Sequence, residues 1–323
     1  MASIPYIRYG GNFLARQPYA IGGVTGYGFG ADGDLAKMQA LVDRTLNLSP
    51  DTRYRVLSKT VFITFFRMNR LVSTVPEDAA KGYFSETELN FTLLLAAERK
   101  VGAVFLPERL VWHMPYLWVD SNQAMIAGRD VYGFPKQYGT VTMPLAPGQP
   151  ALFSAAGEVL HTFDPQSQGA VYPIVHARRT DAPTLELDSP LGAIEAAVAK
   201  FLAEAVRISN PLLFAGTALA DLTAKHLLAL VFLRQLPSIV DADCACYQSI
   251  AEASYDLTQF HGAGFLKGDY EVEIYKHDSV PIAEELGFAA TDAAGNARLK
   301  PHCSYFAGID FTFNQAQEIW TAH

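Results

Sequence analysis

The chain has 323 residues, half of them hydrophobic and 18% charged, and carries a net charge of −8. That length and apolar content are ample for a sizeable core. The acidic balance repels phosphate backbones, which argues against a nucleic-acid partner, and an anionic substrate would need a local positive site. The three cysteines, Cys244, Cys246 and Cys303, are too few and too oddly numbered for a disulfide framework. They read as free thiols. A metal would need two further ligands, with only His302 close at hand, so no metal is expected. The opening residues, Met1 to Arg8, hold no basic stretch followed by an apolar run. The most apolar stretch, Leu89 to Trp112, is broken by Glu98, Arg99, Lys100, Glu108 and Arg109. Neither a signal peptide nor a membrane span is expected, and the default location is the cytoplasm.

In chain order, residues 1–33 are rich in Gly and Tyr and read as an irregular N-terminal segment. Asp34 is a plausible N-cap for a helix over 35–46, with Leu35, Met38, Leu41, Val42 and Leu46 on one face. The β-branched and aromatic run Tyr54 to Phe66 predicts a strand. From 103 to 172, short apolar runs broken by Pro, Gly and Asp predict strands at 103–106, 117–119, 124–127, 139–143, 151–153 and 159–163. That spacing points to a meander or barrel rather than βαβ units. The stripe Ile194, Val198, Phe201, Leu202 and Ala205 predicts a helix over 191–206. Strands are expected again at 230–236, 246–253 and 270–275. Residues 183–190 resemble a hinge, and beyond Gly287 the pattern gives only short strands and loops. No repeat or linker divides the chain, so 1–323 reads as a single β-rich α+β domain with a few peripheral helices.

Gly28-Phe29-Gly30-Ala31-Asp32-Gly33 matches the dinucleotide pattern GxGxxG. The residues before it make a poor strand and no parallel pattern follows, so the glycines read as serving turns or close packing. No organic cofactor is implied. Glu86 and Glu88 share a face if the chain there is extended, which by itself describes any solvated edge. The segment Asp120 to Gly139, DSNQAMIAGRDVYGFPKQYG, is different. Gly133-Phe134-Pro135 turns the chain and delivers Lys136 among Tyr132, Phe134 and Tyr138. Desolvation disfavours an ammonium, and a neutral amine attacks carbonyl carbons. The alternative is a lysine whose stem crosses apolar surface and whose head reaches water.

The run Ala127-Gly128-Arg129-Asp130, four residues, then Pro135-Lys136 resembles the hallmark of the acetoacetate decarboxylase family. Tyr83-Phe84-Ser85-Glu86-Thr87 is similar to the segment that carries a catalytic-site glutamate in that family. The resemblance covers the chain from about Asp34 to Glu285 and is sharp around Lys136. It implies a large antiparallel β-barrel with a buried active site, in a homo-oligomer. It also implies a Schiff base at Lys136, the mechanism for which the same family is the standing illustration, with Glu86 beside it. Three features differ from the family's decarboxylases, the first being that residues 17–33 hold no arginine to match the one the family carries near its N-terminal strand. Gln137 stands where a second lysine follows, and the strand over 60–75 offers Arg67, Asn69 and Arg70 where a second glutamate is expected. Arg67 could hold a substrate carboxylate through its guanidinium fork. Tyr83, Tyr132, Phe134 and Gln137 are the other candidate substrate contacts.

The resemblance therefore implies a lyase acting on a small keto acid through an imine on Lys136, with Glu86 as proton shuttle. A β-keto acid would lose CO2. An α-keto acid would instead form an enamine for aldol and dehydration chemistry. A third reading is a barrel that binds a small apolar molecule without chemistry.

Overall fold

The computed structural model describes residues 5–7, 14–191 and 226–322. The helix predicted over 191–206 lies outside them, apart from Leu191, which ends a strand. Strand β1 (Tyr19–Asp32) leads to helix α1 (Leu35–Thr45), then β2 (Thr52–Val56), β3 (Thr60–Ser73), the short helix α2 (Pro76–Ala79), β4 (Phe84–Val101) and β5 (Val104–Val119). Helix α3 (Asn122–Ala127) and a π-helical turn, Gly128–Tyr132, connect β5 to β6 (Lys136–Thr142). Then come β7 (Leu152–Val159), β8 (Ala170–Arg179), β9 (Leu187–Leu191), β10 (His226–Pro237), β11 (Ala245–Leu266) and β12 (Tyr270–Ile274). Helix α4 (Ile282–Leu286), β13 (Ala297–Leu299), β14 (Cys303–Phe313) and β15 (Gln317–Thr321) complete the order. Among the described residues no helix is long and apolar enough to cross a membrane.

The pairing runs β5-β10-β11-β14-β1-β3-β4, and β4 pairs β5 in turn. From β5 the sheet also extends through β6, β7, β8, β12 and β13. The expectation of an antiparallel sheet needs correcting, because β6 and β10 both run parallel to β5. Parallel neighbours need a crossover rather than a hairpin, and residues 120–135 supply the one between β5 and β6. The run 124–127, predicted as a strand, belongs to α3. Ser121 caps the helix, its Oγ accepting from the Ala124 N–H at 3.3 Å. Four apolar residues do not distinguish strand from helix by periodicity.

The expectation of an irregular start is also corrected: 19–32 is a fourteen-residue strand. Its glycines hid it. A Cβ on Gly26 would lie 2.4 Å from the Phe66 ring, and one on Gly28 would lie 2.1 Å from that of Tyr305. Side chains of the adjacent strands cover these glycines, while Tyr27 and Phe29 fill the main core from the other face. Late in the chain, β14 is an eleven-residue strand beside β1 and β11, longer than the pattern indicated.

A second apolar cluster includes Met68, Val119, Tyr132, Phe134, Phe232 and Phe313. It borders a cavity of about 160 Å³. Two bulges shape this cavity. Between β1 and β14 the register shifts at Ile21/Val24, and between β3 and β4 it shifts at Met68/Leu71. Both fall at one level, since Ile21 pairs Leu71 and Val24 pairs Met68. The extra residue in each strand resets the alternation, so Ile21 and Leu71 return to the cavity face.

Candidate active site

Strand β4 places Phe84, Glu86 and Glu88 on the cavity wall by its period of two. Asp120 holds that stretch at the start of the crossover. Its Oδ1 accepts from the Thr87 N–H at 2.7 Å, and its own N–H donates to the Thr87 carbonyl at 3.1 Å. The crossover then folds back on itself. The Phe134 N–H donates to the Gly128 carbonyl at 3.1 Å, and Gly133 adopts a left-handed φ of 83°. Only glycine takes that conformation without strain. A Cβ there would also lie 2.7 Å from the Arg234 backbone.

Lys136 is the first residue of β6, opposite Leu117 of β5. The Arg129 guanidinium braces it by donating to the Lys136 carbonyl at 3.2 Å. The amine is 7% exposed by residue and points into the cavity. Its Nζ lies 3.2 and 3.3 Å from the two Glu86 oxygens and 3.9 Å from Glu88 Oε2. Both carboxylates are buried, at 3% and 5% exposure. The Asn90 amide donates to Glu88 Oε1 at 2.9 Å, and Thr92 donates to Asn90 Oδ1 at 2.8 Å. Gly128 passes so close that a Cβ would sit 2.6 Å from Lys136 Cδ.

One cation facing two carboxylates in an apolar cavity leaves an excess negative charge. Burial pushes the Glu88 carboxyl up to about 7, and Glu86 adds to the rise; Lys136 and the Asn90 amide pull the other way. Its ordinary value is 4.5. A folded value above the unfolded one gives stability that is fully present below the unfolded value and lost as pH rises through about 7. Glu88→Gln removes that titration. Relative to the parent, the variant is expected to gain about 3 kcal/mol in denaturant titrations between pH 4 and pH 8. A difference independent of pH would show that Glu88 does not take up the proton.

The structure separates the remaining candidates. Tyr132 and Phe134 line the cavity, and the Phe134 ring centroid is 5.3 Å from Lys136 Nζ. Tyr132 also donates its hydroxyl to the Asn314 carbonyl at 3.1 Å. Gln137, Arg67 and Tyr83 do not line it. Gln137 follows Lys136 on a strand, so it faces the other side and borders a separate cleft. Arg67 falls between the cavity residues Phe66 and Met68 and donates outside to Asn69 Oδ1 at 3.0 Å. Tyr83 precedes Phe84, is 58% exposed, and lies under the Arg70 guanidinium.

Two site residues escaped the sequence reading. Glu88 was visible only as half of an i, i+2 carboxylate pair. Gln123 lines the cavity from α3, and its Oε1 is buried without a hydrogen-bond partner among the described residues. Nothing in the sequence marks it out. Among the described lining residues, Lys136 is the one cation.

No family model matches the chain, and no curated protein matches it. Solved structures do. The chain is similar to the crystal structure of acetoacetate decarboxylase from Legionella pneumophila, with a TM-score of 0.62 and 15% identity, covering 99% of this chain and 94% of that one. A second acetoacetate decarboxylase structure matches with a TM-score of 0.59 at 11% identity, covering 95% and 91%. The enduracididine biosynthesis enzyme MppR, complexed with pyruvate, matches with a TM-score of 0.53 at 12% identity, covering 95% and 92%. With the strand order and the short helices described above, these likenesses establish that the chain has the acetoacetate decarboxylase-like fold.

Proposed function

We propose that the protein is a Schiff-base-forming carbon–carbon lyase that decarboxylates a β-keto acid inside a β-barrel. One observation carries the reading: the Lys136 amine is enclosed in an apolar cavity with two carboxylates and, among the described lining residues, no second cation.

In this reading, Glu86 takes a proton from Lys136, the neutral amine attacks the keto carbon, and the carbinolamine loses water to leave an imine. Once protonated, the iminium is an electron sink. The bond to the carboxylate carbon breaks, its electron pair moves to the iminium, and CO2 leaves an enamine. Protonation of the enamine carbon and attack by water then release the ketone and restore the amine. Glu86, at 3.2 Å, is within reach to move protons to and from the nitrogen. Glu88 is the candidate donor to the enamine carbon, because its raised value keeps it protonated up to about pH 7. It also supplies the second glutamate, from β4 itself rather than from β3. A substrate carboxylate held beside negative charge in apolar surroundings is destabilised, and losing CO2 relieves this.

The likeness to a pyruvate complex favours one second reading, aldol and dehydration chemistry on an α-keto acid. That chemistry needs a cation or amide to hold the carboxylate, and Gln123 is the amide at hand. Borohydride trapping with acetoacetate or pyruvate, followed by mass mapping, tests both. The expected result is an adduct on Lys136 with CO2 release from β-keto acids, at a rate that falls as pH rises through about 7. Enone formation from pyruvate plus an aldehyde, without CO2, would favour the second reading. No adduct with any carbonyl compound would leave a non-catalytic binder.

A further inference from the structure

We infer that the substrate carries an apolar tail of several carbons rather than the single methyl of acetoacetate. The inference deepens the lyase reading and rests on it. The cavity of about 160 Å³ takes the keto-acid head beside Lys136 and is otherwise lined largely by apolar side chains. A methyl group would leave the row Phe84, Leu71, Ile21 and Phe311 without contacts, and unfilled space forfeits dispersion energy.

The sheet register gives the cavity a direction. Lys136, Glu86 and Glu88 share one stretch of its wall. Two residues along β4 from Glu86, about 7 Å on, is Phe84. Phe84 pairs with Leu71, Leu71 with Ile21, and Ile21 with Phe311. All four side chains line the cavity. The row beyond the carboxylates is thus wholly apolar, and the paired bulges in β1 and β3 are what bring Ile21 and Leu71 back to face it. A polar tail there would lose its water and find no partner. An apolar tail gains roughly fourfold in binding for each methylene buried. A substrate with its keto carbon at Lys136 and its tail in this row has its carboxylate at the Glu86–Glu88 end, where decarboxylation needs it.

The test compares CO2 release from acetoacetate, 3-oxohexanoate, 3-oxooctanoate and 3-oxo-3-phenylpropanoate, with borohydride trapping of each. The expected result is a kcat/KM that climbs roughly fourfold per added methylene until the cavity is full. Leu71→Trp narrows the apolar row and is expected to lower the ratio of 3-oxooctanoate to acetoacetate turnover at least tenfold. The unsubstituted protein provides a readout without decarboxylation: thermal-shift titration should show 2-heptanone and acetophenone binding far more tightly than acetone. Flat kcat/KM values together with a trapped Lys136 adduct would overturn the tail and leave the lyase reading standing. No adduct from any of the four acids would overturn both.

Discussion

Lys136→Met is expected to reduce turnover to the uncatalysed rate and to abolish the borohydride adduct, since no other amine lines the cavity among the described residues. The same substitution has a second, separable effect on stability. It leaves Glu86 and Glu88 buried together without their cation. Breaking a buried ion pair from one side costs about 3–5 kcal/mol, because the charge left behind keeps its desolvation penalty. Protonation relieves that penalty. The loss should therefore be largest near pH 8 and shrink toward pH 5, where Glu88 holds a proton. Denaturant titrations at the two pH values check this. Equal losses at both would mean the two carboxylates do not share the charge of the lysine. Methionine keeps the length and most of the apolar stem, so the comparison isolates the amine rather than the packing.

Gly128→Ala is expected to separate activity from stability in the opposite sense. The new methyl would lie 2.6 Å from Lys136 Cδ and 3.0 Å from Cε. These are atoms of a flexible stem, so the lysine gives way rather than the backbone. A shift of about 1 Å in a reacting group costs roughly a hundredfold in rate. The helical turn, meanwhile, gains by exchanging glycine for alanine, so the thermal midpoint should change little. A hundredfold loss of kcat/KM with a melting temperature near that of the parent is the expected signature. Unchanged activity would show that the Lys136 stem can take another path to Glu86.

Much of the lysine side of the site is legible in the sequence, because it is contiguous. The turn residues, the aromatics and Lys136 fall within one short segment, and their spacing carries the chemistry. The carboxylate side is half legible. Glu86 comes with the resemblance, whereas Glu88 becomes a site residue only when β4 is known to turn that face inward. Arg67 and Gln137 turn away from the cavity by simple alternation, next to Phe66 and Met68 on β3 and to Lys136 on β6, and the sequence alone does not say which face of either strand is inward. The fold class was legible from the short apolar runs. The parallel pairing of β6 with β5 was not, because it depends on α3, whose four apolar residues fit a strand equally well. Strand β1 was missed for a related reason. Its side-chain contacts are supplied by the neighbouring strands, so its own sequence looks empty where the structure is full.

All three charged groups sit on hydrogen-bonded strands, β4 and β6, with Lys136 joined to the rest of the sheet through β5. Their mutual placement is therefore settled when the chain folds, before any ligand arrives. Docking need not freeze a loop or gather scattered side chains, and the entropy of arranging the amine and the two carboxyls is already spent. Any malleability in what the protein accepts must then come from the apolar row that receives the tail. That row can be recut by exchanging hydrophobic residues while the reacting end keeps its geometry.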